Sequence, residues 1–99
     1  MMSVLGDDAV HAALADLPGW AGDGASITRT VTAPDFLSAI RTVDDIALVA
    51  ETMDHHPDID IRWRTLTFTL STHSVGGVTA ADIELARGID EAAERHGAT

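Results

Sequence analysis

Three of the five histidines in this 99-residue chain fall where side chains are easily put to chemical use. His55 and His56 stand together immediately before Pro57, and His73 closes the run Ser71-Thr72-His73. A proline removes a backbone N–H and clashes with the preceding turn, so Pro57 must stop any helix that reaches it. The pair therefore marks a helix end, and His73 follows a strand-like run. Both are element ends, where groups are displayed on a rigid scaffold. Two adjacent histidines cannot both point into one core, but at a proline-terminated helix end two rings can be aimed at one cleft. Three uses compete. The rings serve packing alone; or, with Glu51 or Asp54, they supply the donor types that zinc and iron take; or they act as acid and base, since imidazole exchanges a proton near pH ~6.5. Against the metal, adjacent histidines rarely ligate one ion with good angles. His11 and His96, on expected helices, read as surface or satisfied core residues.

The elements that would hold these groups can be followed along the chain. Asp7 or Asp8 is suited to cap a short helix through about Leu17, with Val10, Ala13, Leu14 and Leu17 on one face. Pro18-Gly19 ends it, and Ala21-Gly22-Asp23-Gly24 reads as a turn. Ile27, Arg29 and Val31 alternate with Thr28, Thr30 and Thr32, a β-branched period of two that predicts a strand. Pro34 suits the first turn of the next helix. Phe36, Ile40, Val43, Ala47 and Ala50 carry that helix to about Met53.

Beyond Pro57 the apolar positions change parity. Ile59, Ile61 and Trp63 are odd, whereas Leu66, Phe68 and Leu70 are even. One strand keeps one parity, so a hairpin turn is predicted at Arg64-Thr65. Val75-Gly76-Gly77 is a loop. Thr79 with Asp82 three residues on forms a short-chain capping box. Ile83, Ala86, Ile89 and Ala93 mark a last helix ending near Gly97. This order predicts an α+β fold in which helices cover one face of an antiparallel sheet.

Composition narrows the function classes. The length suits one domain over residues 1–99, and at this size self-association would help a small core. Six Lys+Arg against sixteen Asp+Glu give a net charge of -10, which repels phosphate backbones and argues against nucleic acid as a partner. There is no cysteine, so disulfides and thiolate metal sites are excluded. No apolar run approaches the roughly 18 residues that span a bilayer, and no signal segment is evident, so no membrane partner and a cytoplasmic location are expected.

Taken together, Glu51, three positions, His55-His56-Pro57, five positions, Trp63, nine positions, His73 and then Asp82 resemble the pterin-4a-carbinolamine dehydratase family. The flanking Leu70-Ser71-Thr72, Gly76 to Ile83 and Gly19-Trp20 also resemble it, over about residues 14–93. Ile59, Ser74, Val31 and Ala33 depart from residues common in the family. The resemblance implies a four-stranded antiparallel sheet with three helices packed on one face, the fourth strand lying near Gly19-Trp20. It implies a homodimer or homotetramer and no cofactor. The implied reaction is dehydration of 4a-hydroxytetrahydrobiopterin to quinonoid dihydrobiopterin, with His55, His56 and His73 catalytic. Glu51 and Asp54 would orient imidazoles. Pro57, Ser71, Thr72 and Ser74 would border the pterin. Trp63 would be core or pocket wall, and Asp82 a helix-end residue or part of the site. A non-catalytic dimerisation or assembly module on the same fold is the alternative.

Overall fold

A computed structural model describes residues 3–99. Its framework follows from the threonine alternation. Strand β2, Ile27–Thr32, pairs antiparallel along its length with β4, Thr65–Leu70. Ile27 faces Leu70 and Val31 faces Leu66 on the buried side, while Thr28, Thr30 and Thr32 face Thr69, Thr67 and Thr65 on the open side. Strand β3, Asp58–Arg62, pairs with the other edge of β4, and β1, the two residues Ala21–Gly22, pairs with β2. The sheet order is β1-β2-β4-β3. Helices α1 (Asp7–Leu14), α2 (Phe36–Met53) and α3 (Ala80–Arg95) cover the apolar face, which completes the expected α+β architecture.

Several local expectations shift. Residues 21 and 22 belong to the fourth strand and not to a turn; the loop is Asp23 to Ser26, closed by Asp23 N–H to Ser26 C=O at 3.0 Å. Gly6 precedes α1, and Asp7 does not cap it: its carboxylate accepts the Gly24 N–H at 2.8 Å. The helix stops at Leu14, though Leu17 is still buried in the turn beyond. Asp35 caps α2 by accepting Ser38 N–H at 2.7 Å, a bond that holds its carboxyl below the ordinary value, so Pro34 lies before the cap and not in the first turn.

The inward stripe of α2 is Ala39, Thr42, Ile46 and Ala50; of the expected Phe36, Ile40, Val43, Ala47 and Ala50, Ala50 is buried and Val43 packs at the edge of the core, while the centre of the stripe lies one position earlier than Ile40 and Ala47. The helix carries apolar residues on more than one side, and Phe36, Leu37 and Leu48 stay exposed. Its neighbour selects the face. A Cβ on Gly88 of α3 would sit 2.9 Å from Val49 Cγ1, so the two helices approach closely there. Buried Thr42 is satisfied by donating to Ser38 C=O at 2.8 Å.

The β3–β4 turn is Trp63-Arg64, one residue before the expected place, with Arg62 opposite Thr65. Trp63 takes a left-handed φ of 52°, which costs a non-glycine residue about 1 kcal/mol. The tip is anchored on Ala33, which donates to Arg64 C=O at 2.9 Å and accepts from Arg64 Nη1 at 3.0 Å.

The middle of α2 is tied to the C-terminal end of α3 through Asp45. One oxygen, Oδ2, accepts from His96 Nε2 at 2.7 Å and from Arg95 Nη1 at 2.8 Å. The His96 bond first, and the Arg95 bond second, hold the Asp45 carboxyl below its ordinary value. A carboxyl lowered by folding stabilises the native state above its unfolded pKa of about 4, and that contribution fades as pH falls through the folded value. Asp45→Asn should therefore melt below wild type at about pH 7, with the gap narrowing below about pH 4. Thermal melts showing an equal gap at both acidities would contradict this role.

Candidate functional site

The site begins where α2 ends. Asp54 takes the left-handed φ of 51°, and its N–H bonds Glu51 C=O at 3.2 Å while His55 N–H reaches back to Ala50 C=O at 3.0 Å. This is the paired closure usual with glycine at the left-handed position, and aspartate is one of the few other residues that tolerate it. The reversal sends two consecutive histidines in different directions. His55 turns inward, its side chain 10% exposed, and His56 remains outside. The helix stops short of His55, so Glu51 does not share a helical face with it. Glu51 Oε1 instead stands 3.5 Å from His56 Nε2, with both groups exposed.

His55 Nε2 lies 2.5 Å from Oδ1 of Asp82, whose side chain is completely buried in the first turn of α3. The other oxygen, Oδ2, accepts from Thr79 N–H at 2.9 Å and from Thr72 Oγ1 at 2.8 Å. The proton directions follow from the donor inventory. An aspartate carboxylate only accepts, so Thr72 must spend its single hydroxyl proton on Asp82. The Thr79 hydroxyl, 2.8 Å from Thr72 Oγ1, then donates to Thr72, while Thr79 Oγ1 accepts Ala81 N–H at 3.2 Å. By the same reasoning His55 Nε2 carries a proton toward Asp82. Its Nδ1 has no partner among the described residues, so one ring nitrogen is tied and the other is open.

Thr72 brings the second histidine segment to this point. Thr72 and Gly77 form an antiparallel bridge with N–H to C=O at 2.9 Å, and Thr72 C=O accepts from Val75 and Gly76. The loop so closed holds the short 3₁₀ turn His73–Val75. A Cβ on Gly77 would fall 2.8 Å from Gly24 C=O, so the loop is pressed onto the β1–β2 connection. His73, next in chain to Thr72, is exposed, and its ring makes no hydrogen bond among the described residues. The pairing of Asp58 with Thr69 puts the start of β3 and the end of β4 at the same end of the sheet. The helix-end and strand-end histidines thus come to one region through the His55–Asp82–Thr72 chain.

The other candidate residues are placed differently. Ser71 donates to Ala25 C=O at 2.8 Å, and the Thr72 hydroxyl is spent inside the network. Ser74 and Asp54 are exposed, and Pro57 is half-buried. Trp63 is 71% exposed, so the core reading does not hold. It lies at the opposite end of β3 from His56 and Pro57, and five strand residues amount to roughly 16 Å. Thr79 was legible as a cap but not as a hydroxyl partner of Thr72.

Three grooves of about 490, 450 and 370 Å³ lie on the helical side, and no histidine lines any of them. Among the described residues no three His, Asp or Glu side chains form a set that could hold a metal ion. No described helix is long and apolar enough to cross a membrane.

An α+β fold with a histidine tied to a buried carboxylate at the sheet end defines the class. Comparison with known proteins then gives the family. The sequence profile of the pterin 4 alpha carbinolamine dehydratase family matches residues 3–92. A Nocardia farcinica protein with the provisional name pterin-4-alpha-carbinolamine dehydratase is 59% identical over 90 residues, covering 91% of this chain and 95% of its own. A Mycobacteroides abscessus protein of the same provisional name is 58% identical over 89 residues, covering 90% and 95%. The crystal structure of a transcriptional coactivator/pterin dehydratase from Brucella melitensis superposes with a TM-score of 0.88 at 35% identity, covering 92% of this chain and 99% of that one. A pterin dehydratase-like RuBisCO assembly factor of the alpha-carboxysome shares the fold, with a TM-score of 0.62 at 19% identity over 75% of this chain and 86% of its own. The chain belongs to the pterin-4-alpha-carbinolamine dehydratase family, a family of hydro-lyases.

Asp82→Ala would strand the Thr72 hydroxyl, the Thr79 N–H and His55 Nε2 together, and should cost about 3 kcal/mol or more. Thr72→Val keeps the shape and removes two bonds, the one given to Asp82 and the one taken from Thr79, and should cost about 2 kcal/mol. Urea unfolding measures both; a change near zero for Asp82→Ala would mean that the carboxylate does not hold the site together.

Proposed function

We propose that this chain dehydrates 4a-hydroxytetrahydrobiopterin to quinonoid dihydrobiopterin by histidine acid–base catalysis. The observation that carries the reading is the tied imidazole of His55, with Nε2 on buried Asp82 and Nδ1 open, in the same region as the unbonded ring of His73. Family membership supports it.

Loss of water needs two proton movements. The C4a–O bond breaks with its electrons leaving on oxygen, so an acid must protonate the hydroxyl. A ring N–H must lose its proton as the new double bond forms, so a base must take it. The two transfers balance, and the substrate gives up no electrons. We assign acid and base to His55 and His73, each worth roughly 10²–10⁴-fold. Asp82 fixes the His55 tautomer and ring orientation, as a carboxylate does for other working histidines. His56, steadied by Glu51, holds the pterin and shares the acid role. Asp54, Pro57 and Ser74 border the ring. Ser71 contributes through its backbone, because its hydroxyl is already engaged, and Thr72, whose hydroxyl and backbone are both engaged, borders the pterin by holding Asp82 and the loop in place. In this reading the protein acts as a homo-oligomer in the cytoplasm and holds no cofactor.

A second reading is a non-catalytic interaction module. Exposed Phe36, Leu37 and Leu48 on α2 favour it. The Brucella protein is described as a transcriptional coactivator as well as a pterin dehydratase, and the carboxysome protein as a RuBisCO assembly factor, which supports this second reading.

Stopped-flow decay of the carbinolamine, corrected for the spontaneous reaction, distinguishes them. His55→Ala and His73→Ala should each lower turnover at least about tenfold with native circular dichroism. Undiminished turnover in both variants would remove the assignment. Turnover should also persist in EDTA; loss on chelation with recovery on adding zinc would favour a metal mechanism.

A further inference from the structure

We propose that Asp7 and Ser71 are positioning residues for His73: through the loop from Asp23 to Ser26 they hold both ends of the segment that presents its imidazole. The link to turnover rests on the dehydratase reading; the holding of the segment does not.

The two histidines assigned to acid and base are fixed in different ways. The His55 ring is tied by Nε2 to Asp82. The His73 ring is exposed and has no hydrogen-bond partner among the described residues, so its backbone alone sets where it stands. That backbone lies in the turn His73–Val75, which leaves β4 through Ser71-Thr72 and rejoins the fold at Gly77-Val78. Inside the segment, Val75 N–H and Gly76 N–H return to Thr72 C=O at 3.1 and 3.0 Å. A single 3₁₀ turn has poor hydrogen-bond geometry and little stability of its own, so its shape must be imposed at its ends.

Both ends are held by neighbouring carbonyls of one loop. On the entry side the Ser71 hydroxyl donates to Ala25 C=O at 2.8 Å, and on the exit side Val78 N–H donates to Gly24 C=O at 2.8 Å. Two consecutive residues thus span the mouth of the His73 segment. The exit is also pressed from outside: a Cβ on buried Gly77 would fall 3.0 Å from Val4 Cγ1.

The loop is in turn fixed by carboxylates. Asp23 accepts Ala25 N–H at 2.8 Å, and Asp7 Oδ1 accepts Gly24 N–H at 2.8 Å. Asp7 is the first residue of α1, and two residues earlier Leu5 N–H donates to Val78 C=O at 2.9 Å. The links from Asp7 to Gly24, from Gly24 to Val78 and from Val78 to Leu5 close a ring through three distant parts of the chain. Gly24 is bonded on both sides, its N–H to Asp7 and its C=O to Val78. Glycine has the widest choice of backbone conformations, so without the Asp7 bond the carbonyl that holds the exit is no longer fixed. Asp8 carries the same charge in the same helical turn, yet its side chain makes no hydrogen bond among the described residues.

Steady-state kinetics and ¹⁵N relaxation test the proposal. Asp7→Ala and Ser71→Ala should each lower kcat about fivefold, because a misplaced acid or base loses rate steeply. Asp7→Asn and Ser71→Thr keep the oxygen and should stay within about twofold of wild type, as should Asp8→Asn. Adding either alanine change to His73→Ala should cost no further turnover, since both act only through that ring. Order parameters at His73, Val75 and Gly76 should fall from about 0.85 toward about 0.6 in both alanine variants, with Ile46 in α2 unchanged. Unaltered order parameters at the three positions, or an equal fall at Ile46, overturn the holding of the segment. With an active wild type, full turnover in both alanine variants, an additive loss on His73→Ala, or an Asp8→Asn loss equal to that of Asp7→Ala overturns the link to His73. A wild type without turnover overturns the dehydratase reading alone, and relaxation still decides whether the segment is held.

Discussion

The fully buried carboxylate of Asp82 is the interaction on which the rest of the site depends. An uncompensated charge in an apolar interior would be prohibitive, and here it accepts three hydrogen bonds from three parts of the chain. It also sits in the first turn of α3, where the helix dipole favours negative charge. The two oxygens divide the work. Oδ2 takes the Thr79 N–H and the Thr72 hydroxyl, which joins the start of α3 to the end of β4. Oδ1 takes His55, which adds the end of α2. One side chain therefore sets the relative positions of three element ends.

The sheet supplies the distance scale. Paired threonines keep one face polar, and paired Ile, Val, Leu and Phe keep the other against the helices. That full-length pairing holds the end of β4 beside the start of β3, and hence Thr72-His73 near His55-His56. Arg29 shows how strictly the buried face is enforced. Its register opposite Phe68 puts it on the helix side, and Asp90 meets it there while also accepting Trp20 Nε1 at 2.8 Å.

Backbone reversal matters as much as side-chain identity. Asp54 in the left-handed conformation makes consecutive histidines unlike, one tied to a buried acid and one at the surface. Without it the helix would continue toward Pro57 and carry Glu51 and His55, four residues apart, on one face. The same conformation at Trp63 puts a large aromatic residue on a hairpin tip, where neither a core nor a pocket of its own subunit receives it.

The sequence by itself determined the elements with strong local signals. The threonine alternation marked β2 at its observed bounds, the parity switch announced a hairpin, Pro57 ended α2 near Met53, and Thr79 with Asp82 capped α3. It also singled out the histidines and, through their spacing, the family. Tertiary structure decided what local signals leave degenerate. Helix α2 is apolar on several sides, so only contact with α3 selected the Ala39–Ala50 stripe. The turn moved to Trp63-Arg64 because pairing of Arg62 with Thr65 outweighs weak turn chemistry. The second oxygen of Asp82 found His55 across 27 residues, a proximity that no periodicity encodes because it exists only once the sheet and helices have packed.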